Sequence, residues 1–168
     1  MRKLITETPR LYIRNWLQED IAPYAEIIGD PDVMRFIGDG KPKPPEEAIR
    51  AVEKYNGQIE AQGWTRFAVA LKDTDHIIGF CGFDVYQEQL DFGWRLAKDQ
   101  WGKGYATEAA RAVLELGIHQ FSFDKIVCHA FTENIGSINV IEKLGMPFEK
   151  EWMFHEKPVR QYAWVRPS

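Results

Sequence analysis

The spacing of apolar residues changes period several times along the chain, and each change marks an element. Residues 11–16, Leu-Tyr-Ile-Arg-Asn-Trp, read as a strand. From Asp20 to Gly29 the apolar residues Ile21, Tyr24, Ala25, Ile27 and Ile28 recur at helical spacing. Asp30-Pro31 is a helix start, an acid at the N-cap and proline at the first helical position, and this short helix is expected to end near Gly38. The segment Asp39 to Pro45 is the least regular of the chain; a longer helix, Glu46 to Gln62, follows and closes on Gly63.

The middle of the chain switches to strand patterns. Arg66 to Leu71, His76 to Val85 and Gln89 to Leu96 are three runs separated by gaps so short that only antiparallel hairpins can join them. After Leu96 the helical period returns. Tyr105 to Phe121 carries apolar residues at 106, 109, 110, 113, 116 and 117. Lys125 to Ala130 is a strand of buried type. Asn134 to Leu144 is a helix with Ile138, Val140, Ile141 and Leu144 on one side and Gly145 at its end. Strands around Phe148 to Phe154 and Arg160 to Val165 close the chain. The order implies a mixed α/β (α+β) fold of about seven strands in a single, mostly antiparallel sheet with helices on its faces.

The 168 residues fit one domain, spanning 1–168, and 45% hydrophobic with 27% charged residues is an ordinary globular balance. Aromatic residues are somewhat abundant at 13%, which a well-filled core accommodates. The net charge of -4 gives no support to nucleic-acid binding, and it obliges any anionic ligand to be held by local design. Cys81 and Cys128 lie in apolar runs and read as buried free thiols in a reducing compartment. There is no Cys/His spacing for a metal, no signal-peptide core and no apolar run of membrane-spanning length. The chain therefore reads as complete and cytoplasmic, with no membrane partner.

The sharpest local feature is Trp101-Gly102-Lys103-Gly104-Tyr105-Ala106-Thr107, where a strand gives way to a helix. A helix N-terminus offers unpaired N–H groups and the positive end of the macrodipole, and glycines let an anion come close. A pocket for phosphate or pyrophosphate follows, although on the turn alone a ligand-free connection fits equally well. A nucleotide P-loop is excluded because Gly104, not Ser or Thr, follows Lys103. A dinucleotide fingerprint is disfavoured by Thr107 at its third small position and by Asp124, which precedes its strand instead of closing it.

Read in order, that loop and a second helix beginning Asn134-Ile135-Gly136-Ser137-Ile138-Asn139 resemble the GNAT acetyltransferases. Glu7 to Arg14 and Asp30 to Met34 are similar to the branch that acetylates ribosomal-protein N-termini on alanine or serine, and the resemblance spans nearly the whole chain. It implies a sheet splayed in the middle, with acetyl-CoA as co-substrate in the opening. Trp94 to Leu96 would pair with the pantetheine arm, residues 102–107 with the pyrophosphate, and Asn134 with the arm from the other side. Leu96 N–H would face the thioester oxygen and Ser137 would donate a proton to the leaving thiolate. Asn134 is equally a good N-cap, and Ser137 an ordinary first-turn residue. Arg95, Lys98 and Lys103 are nearby cations.

The resemblance also implies a primary amine as acceptor, a protein N-terminus or a small molecule, attacking directly in a ternary complex. An α-amino group, with pKa ~8, is partly neutral at pH 7, whereas a lysine side chain is not. Glu133, His129, His155 and Asp84 are the candidate bases, none singled out by spacing. Trp101 stands where the family more often has Gln or Arg, which shifts reliance to backbone donors; Met146-Pro147 replaces the usual Phe after the helix-closing glycine. The first two helices, the Asp39–Pro45 loop and the last hairpin would build the acceptor side, with Trp16, Phe36, Trp64, Trp152 and Phe154 available to line it. Pairing with a second copy and a non-catalytic acyl-CoA-binding role are the further expectations to be weighed.

Overall fold

The computed structural model describes residues 1–168. Strands β1 (Leu4–Glu7) and β2 (Leu11–Arg14) form an opening hairpin, followed by helices α1 (Ile21–Ile28), α2 (Pro31–Met34) and α3 (Glu46–Gln62). The meander β3 (Arg66–Leu71), β4 (Ile77–Tyr86) and β5 (Gln89–Leu96) leads to α4 (Tyr105–Glu115), which widens into a π-helical turn over Leu116–Gln120. Then come β6 (Lys125–Phe131), α5 (Ile135–Lys143) and the hairpin β7 (Phe148–Phe154) and β8 (Lys157–Val165).

All eight strands belong to one sheet in the order β1-β2-β3-β4-β5-β6-β8-β7, antiparallel everywhere except between β5 and β6. The strand beyond the seven read from the sequence is β1, four residues whose half-exposed pattern carries no alternation to detect. The strand at residues 11–16 ends instead at Arg14, because the Trp16 N–H is captured by the side chain of Asn56 on α3. Of the short helix expected to reach Gly38, only Pro31–Met34 is regular; the Asp30 carboxylate caps it by accepting from the Asp32 N–H.

Side-chain alternation along β3 divides the interior. Phe67 and Val69 join the core beneath α4 and α5, with Val113, Ile138 and Ile141; Ala68 and Ala70 join the core beneath α1 to α3, with Trp16, Tyr24, Tyr55 and Phe80. The helices thus cover both faces. Cys81 and Cys128 are buried free thiols. On the α1 side Arg14 is fully buried and completely satisfied: its guanidinium reaches Asp20 at 2.7 and 3.0 Å, Asp75 at 3.0 Å and the carbonyls of Asn15 and Asp75. A buried charge needs such company to persist.

Candidate active site

The one parallel pairing barely exists: β5 and β6 share a single registered rung, Asp91 with Val127. Past it the strands separate. Which groups β5 leaves along the opening follows from its other neighbour. Ala97 N–H donates to Ile78 O at 2.8 Å, and bonded and unbonded rungs alternate along an antiparallel pair. The rungs Phe83–Phe92, Cys81–Trp94 and Gly79–Leu96 are therefore unbonded ones, with their β5 N–H and C=O groups turned toward β6. Phe83 N–H donates instead to Thr65 on the β3 side. At the fork itself the Cys128 thiol donates to Phe92 O at 3.0 Å. Leu96 O accepts from the Trp101 indole at 3.0 Å. Trp94 N–H and C=O and the Leu96 N–H remain along the edge.

The loop from β5 to α4 is shaped by two glycines in the left-handed region, Gly102 at φ 74° and Gly104 at φ 83°. Gly104 is the N-cap of α4 and, without a side chain, caps nothing, so the first N–H groups of the helix stay open. Trp101 folds back on Leu96 and fixes the start of the loop. Arg10, whose part in the site the sequence did not disclose, holds it from behind. Its Nη1 donates to Lys103 O at 3.0 Å, its guanidinium lies 4.3 Å from the Tyr105 ring centre, and its Nε donates to Glu108 at 2.8 Å. Glu108 also accepts from the Thr8 hydroxyl and the Arg10 N–H. Burial alone would raise the Glu108 carboxyl; these hydrogen bonds outweigh it and hold it below the usual range.

Across the opening, α5 begins at Asn134. Its Oδ1 accepts from Ser137 N–H at 3.3 Å, the capping role, and its Nδ2 donates to Ser137 Oγ at 3.1 Å. The hydroxyl proton of Ser137 is left free to be given elsewhere. Edge, loop and α5 meet in one cleft of about 580 Å³. Trp94, Leu96, Trp101, Gly102, Gly104, Tyr105, Ala106, Thr107, Asn134 and Ser137 all line it. Lys103 does not: its ammonium lies 3.4 Å from Gln100, outside the lining. At the other end the cleft is closed by Asp32, Val33, Phe36 and Ile37, with Arg95 on its wall. A shallower groove of about 670 Å³ runs along the outer side of α4 past Arg111 and Lys143.

The profile of the acetyltransferase (GNAT) domain family matches residues 10–147. The chain belongs to the GNAT acetyltransferases. It is similar to YnaD of Bacillus subtilis (strain 168), named an uncharacterized N-acetyltransferase, at 34% identity over 83% of this chain and 80% of that protein. The crystal structure of a GNAT-family acetyltransferase from Bacillus anthracis superposes with a TM-score of 0.82 at 28% identity, covering 98% of both chains. RimL, the ribosomal L7/L12 alpha-N-protein acetyltransferase, in complex with coenzyme A, superposes with a TM-score of 0.81, over 97% of this chain and 98% of RimL; at 12% identity that likeness is one of fold. The chain is an acetyl-CoA-dependent N-acetyltransferase.

In this acetyltransferase the candidate bases lie away from the cleft lining. His129 has both ring nitrogens committed, Nδ1 to Asp91 at 2.7 Å and Nε2 to Gln161 at 2.8 Å. Asp84 is held by Lys54 at 2.6 Å and by Gln58; against the upward push of burial, these bonds and its own contact with Val85 N–H keep its carboxyl low. Glu133 and His155 are exposed at turns. Asp32, the one carboxylate in the lining, is paired with Lys98 at 2.5 Å. Of the aromatic residues expected on the acceptor side, Phe36 lines the cleft. Trp16 is core, Trp64 packs edge-on against Phe123, and Trp152 and Phe154 stand beside His129 and Phe131.

Proposed function

We propose that a neutral primary amine attacks the acetyl carbon of acetyl-CoA directly, with both substrates bound together in the cleft between β5 and α5. The observation that carries this reading is the juxtaposition of an open main-chain edge with an uncapped helix N-terminus in one cavity. An extended amide-bearing arm fits the first and a diphosphate the second. Bound acetyl-CoA supplies an acyl carbon activated by a thiol leaving group.

The chain's own groups then have distinct tasks. Trp94 N–H and C=O hold the arm by main-chain hydrogen bonds, helped by Asn134. The N–H groups of residues 102–107 hold the diphosphate, Lys103 contributing its main chain. Leu96 N–H donates to the carbonyl oxygen as negative charge develops there. As the nitrogen–carbon bond forms and the carbon–sulfur bond breaks, Ser137 Oγ gives its proton to the departing sulfur. The extra proton on the attacking nitrogen passes through water to Ser137 Oγ, which restores the hydroxyl and leaves a neutral amide and a free thiol. The absence of an uncommitted base in the lining favours acceptors that are already neutral, and a thiol of pKa ~8.5 leaves without strong acid help.

On this reading residues 1–168 act as one unit, since the sheet runs without a break from β1 to β8. The two reduced cysteines suit the cytoplasm. No helix is long and apolar enough to cross a membrane. The test is thiol release from acetyl-CoA on addition of candidate amines, including peptides that differ in their first residue. Release that depends on the amine supports direct transfer; release independent of every amine refutes it.

A further inference from the structure

The sheet face that carries α1 to α3 presents three arginines, and their partners differ. Arg14 has two carboxylates, Asp20 and Asp75. Arg66 has a buried Nε without a partner, but its Nη2 reaches Asp91 at 3.2 Å. Arg95, on β5, makes no ion pair. Its one side-chain hydrogen bond runs from Nη1 to the Tyr24 hydroxyl at 3.1 Å, and its Nε is buried with no partner. Burial holds the Tyr24 phenol protonated, so it brings no counter-charge. The Phe80 ring, 5.0 Å from the guanidinium carbon, offers only its π-face.

Arg95 is half-buried at the cleft, and an anion entering there would give its guanidinium the counter-charge that the other two arginines already have. Arg95 lines the cleft, whose single carboxylate, Asp32, is already taken by Lys98. The cofactor's diphosphate is badly placed to serve. Leu96 packs beneath α4 and α5, so the neighbouring Arg95 side chain leaves the strand on the opposite face, away from the loop that opens α4. That face is the one α1 and α2 share with the far end of the cleft.

We propose that Arg95 anchors a carboxylate on the acceptor, so that this enzyme acetylates amines carrying an acid group, amino-acid-like rather than polyamine-like. The proposal rests on the reading that the acceptor meets the acetyl group in this cleft. The length of the spacer between the acceptor's amine and its acid is therefore the variable to scan.

The test uses the full chain saturated with CoA for binding, or acetyl-CoA for turnover. Glycine, β-alanine and γ-aminobutyrate are compared with their amides and with diamines of matching length. Calorimetry gives affinity and thiol release gives kcat/KM. At least one acid-bearing amine is expected to exceed its amide by about tenfold or more, the worth of one charge-assisted pair. Arg95→Gln should erase that preference while CoA affinity stays within about twofold. Equal or better performance by amides or diamines overturns the proposal. So does a large loss of CoA affinity in Arg95→Gln, which would assign the arginine to the diphosphate. Selective acid binding without transfer upholds the anchor and refutes the direct-attack reading; transfer with no acid preference does the reverse. If Arg95→Gln fails to fold, the comparison of acids with amides on the wild-type protein still decides.

Discussion

At Gly104 a side chain would stand in front of the first N–H groups of α4. A Cβ there meets nothing closer than Arg10 Nη2 at 3.4 Å, so the space is open, but the backbone is left-handed. Gly104→Glu is expected to weaken CoA binding more than about tenfold, because a carboxylate would both fill and repel the anion site. Circular dichroism should show the fold retained; unchanged CoA affinity in that folded variant would remove the site. Ser137→Ala should lower kcat roughly tenfold and leave the KM for acetyl-CoA little altered, since a thiolate leaves tolerably without help. An equal loss in both would make Ser137 a binding residue. At this scale the sequence discloses backbone chemistry better than side-chain direction. The glycine turn is visible as two letters, whereas nothing in the letters says that Lys103 points out toward Gln100, or that Asp91 and Gln161 lock His129 from strands far apart in sequence.

The β1–β2 turn and α4 form a clasp centred on Glu108, one hundred residues from Thr8. The Glu108 carboxyl sits below its ordinary value of 4.5, so the folded state binds its proton less readily than the unfolded chain. Its stabilising contribution is therefore fully present above about pH 4.5 and is lost as the pH falls through the lower, folded value. Thermal melts from pH 7 down to 3 should show Glu108→Gln less stable than wild type at pH 7, with the gap narrowing below 4.5. A constant gap would mean that the clasp does not hold through charge. Helices such as α3 and α5 were legible because their apolar period and closing glycines act within one turn. The clasp was not, because no local rule links Arg10 to Glu108. The strand β1 carries no local signal for a related reason: four half-exposed residues become a strand only when β2 offers a partner.

For the molecule as a whole, cofactor binding should register as stability. CoA at about 100 times its dissociation constant adds ~2.7 kcal/mol, which for a chain of this size raises Tm by about 5–11 °C. Scanning calorimetry with and without CoA measures it, and a Tm indifferent to CoA would contradict the assigned site. The sheet's antiparallel stretches and its helical cover were legible, since short gaps force hairpins and alternating periods force layers. The splay at the centre was accessible only through family resemblance, and the strand order there was not legible at all. A single rung between β5 and β6, with a cysteine thiol finishing the last carbonyl, leaves no periodic mark.

That fork is walled on the β5 side by main chain, and this governs how such an enzyme can diverge. Replacing Trp94 or Leu96 alters what flanks the opening but leaves its amides in place, so the grip proposed for an extended arm would tolerate drift in sequence. On the proposed reading, novelty is channelled to the side chains at the far end of the cleft, Asp32 and Phe36 together with Arg95 on β5. One half of the cleft is thereby free to change its clientele while the other keeps the same donor.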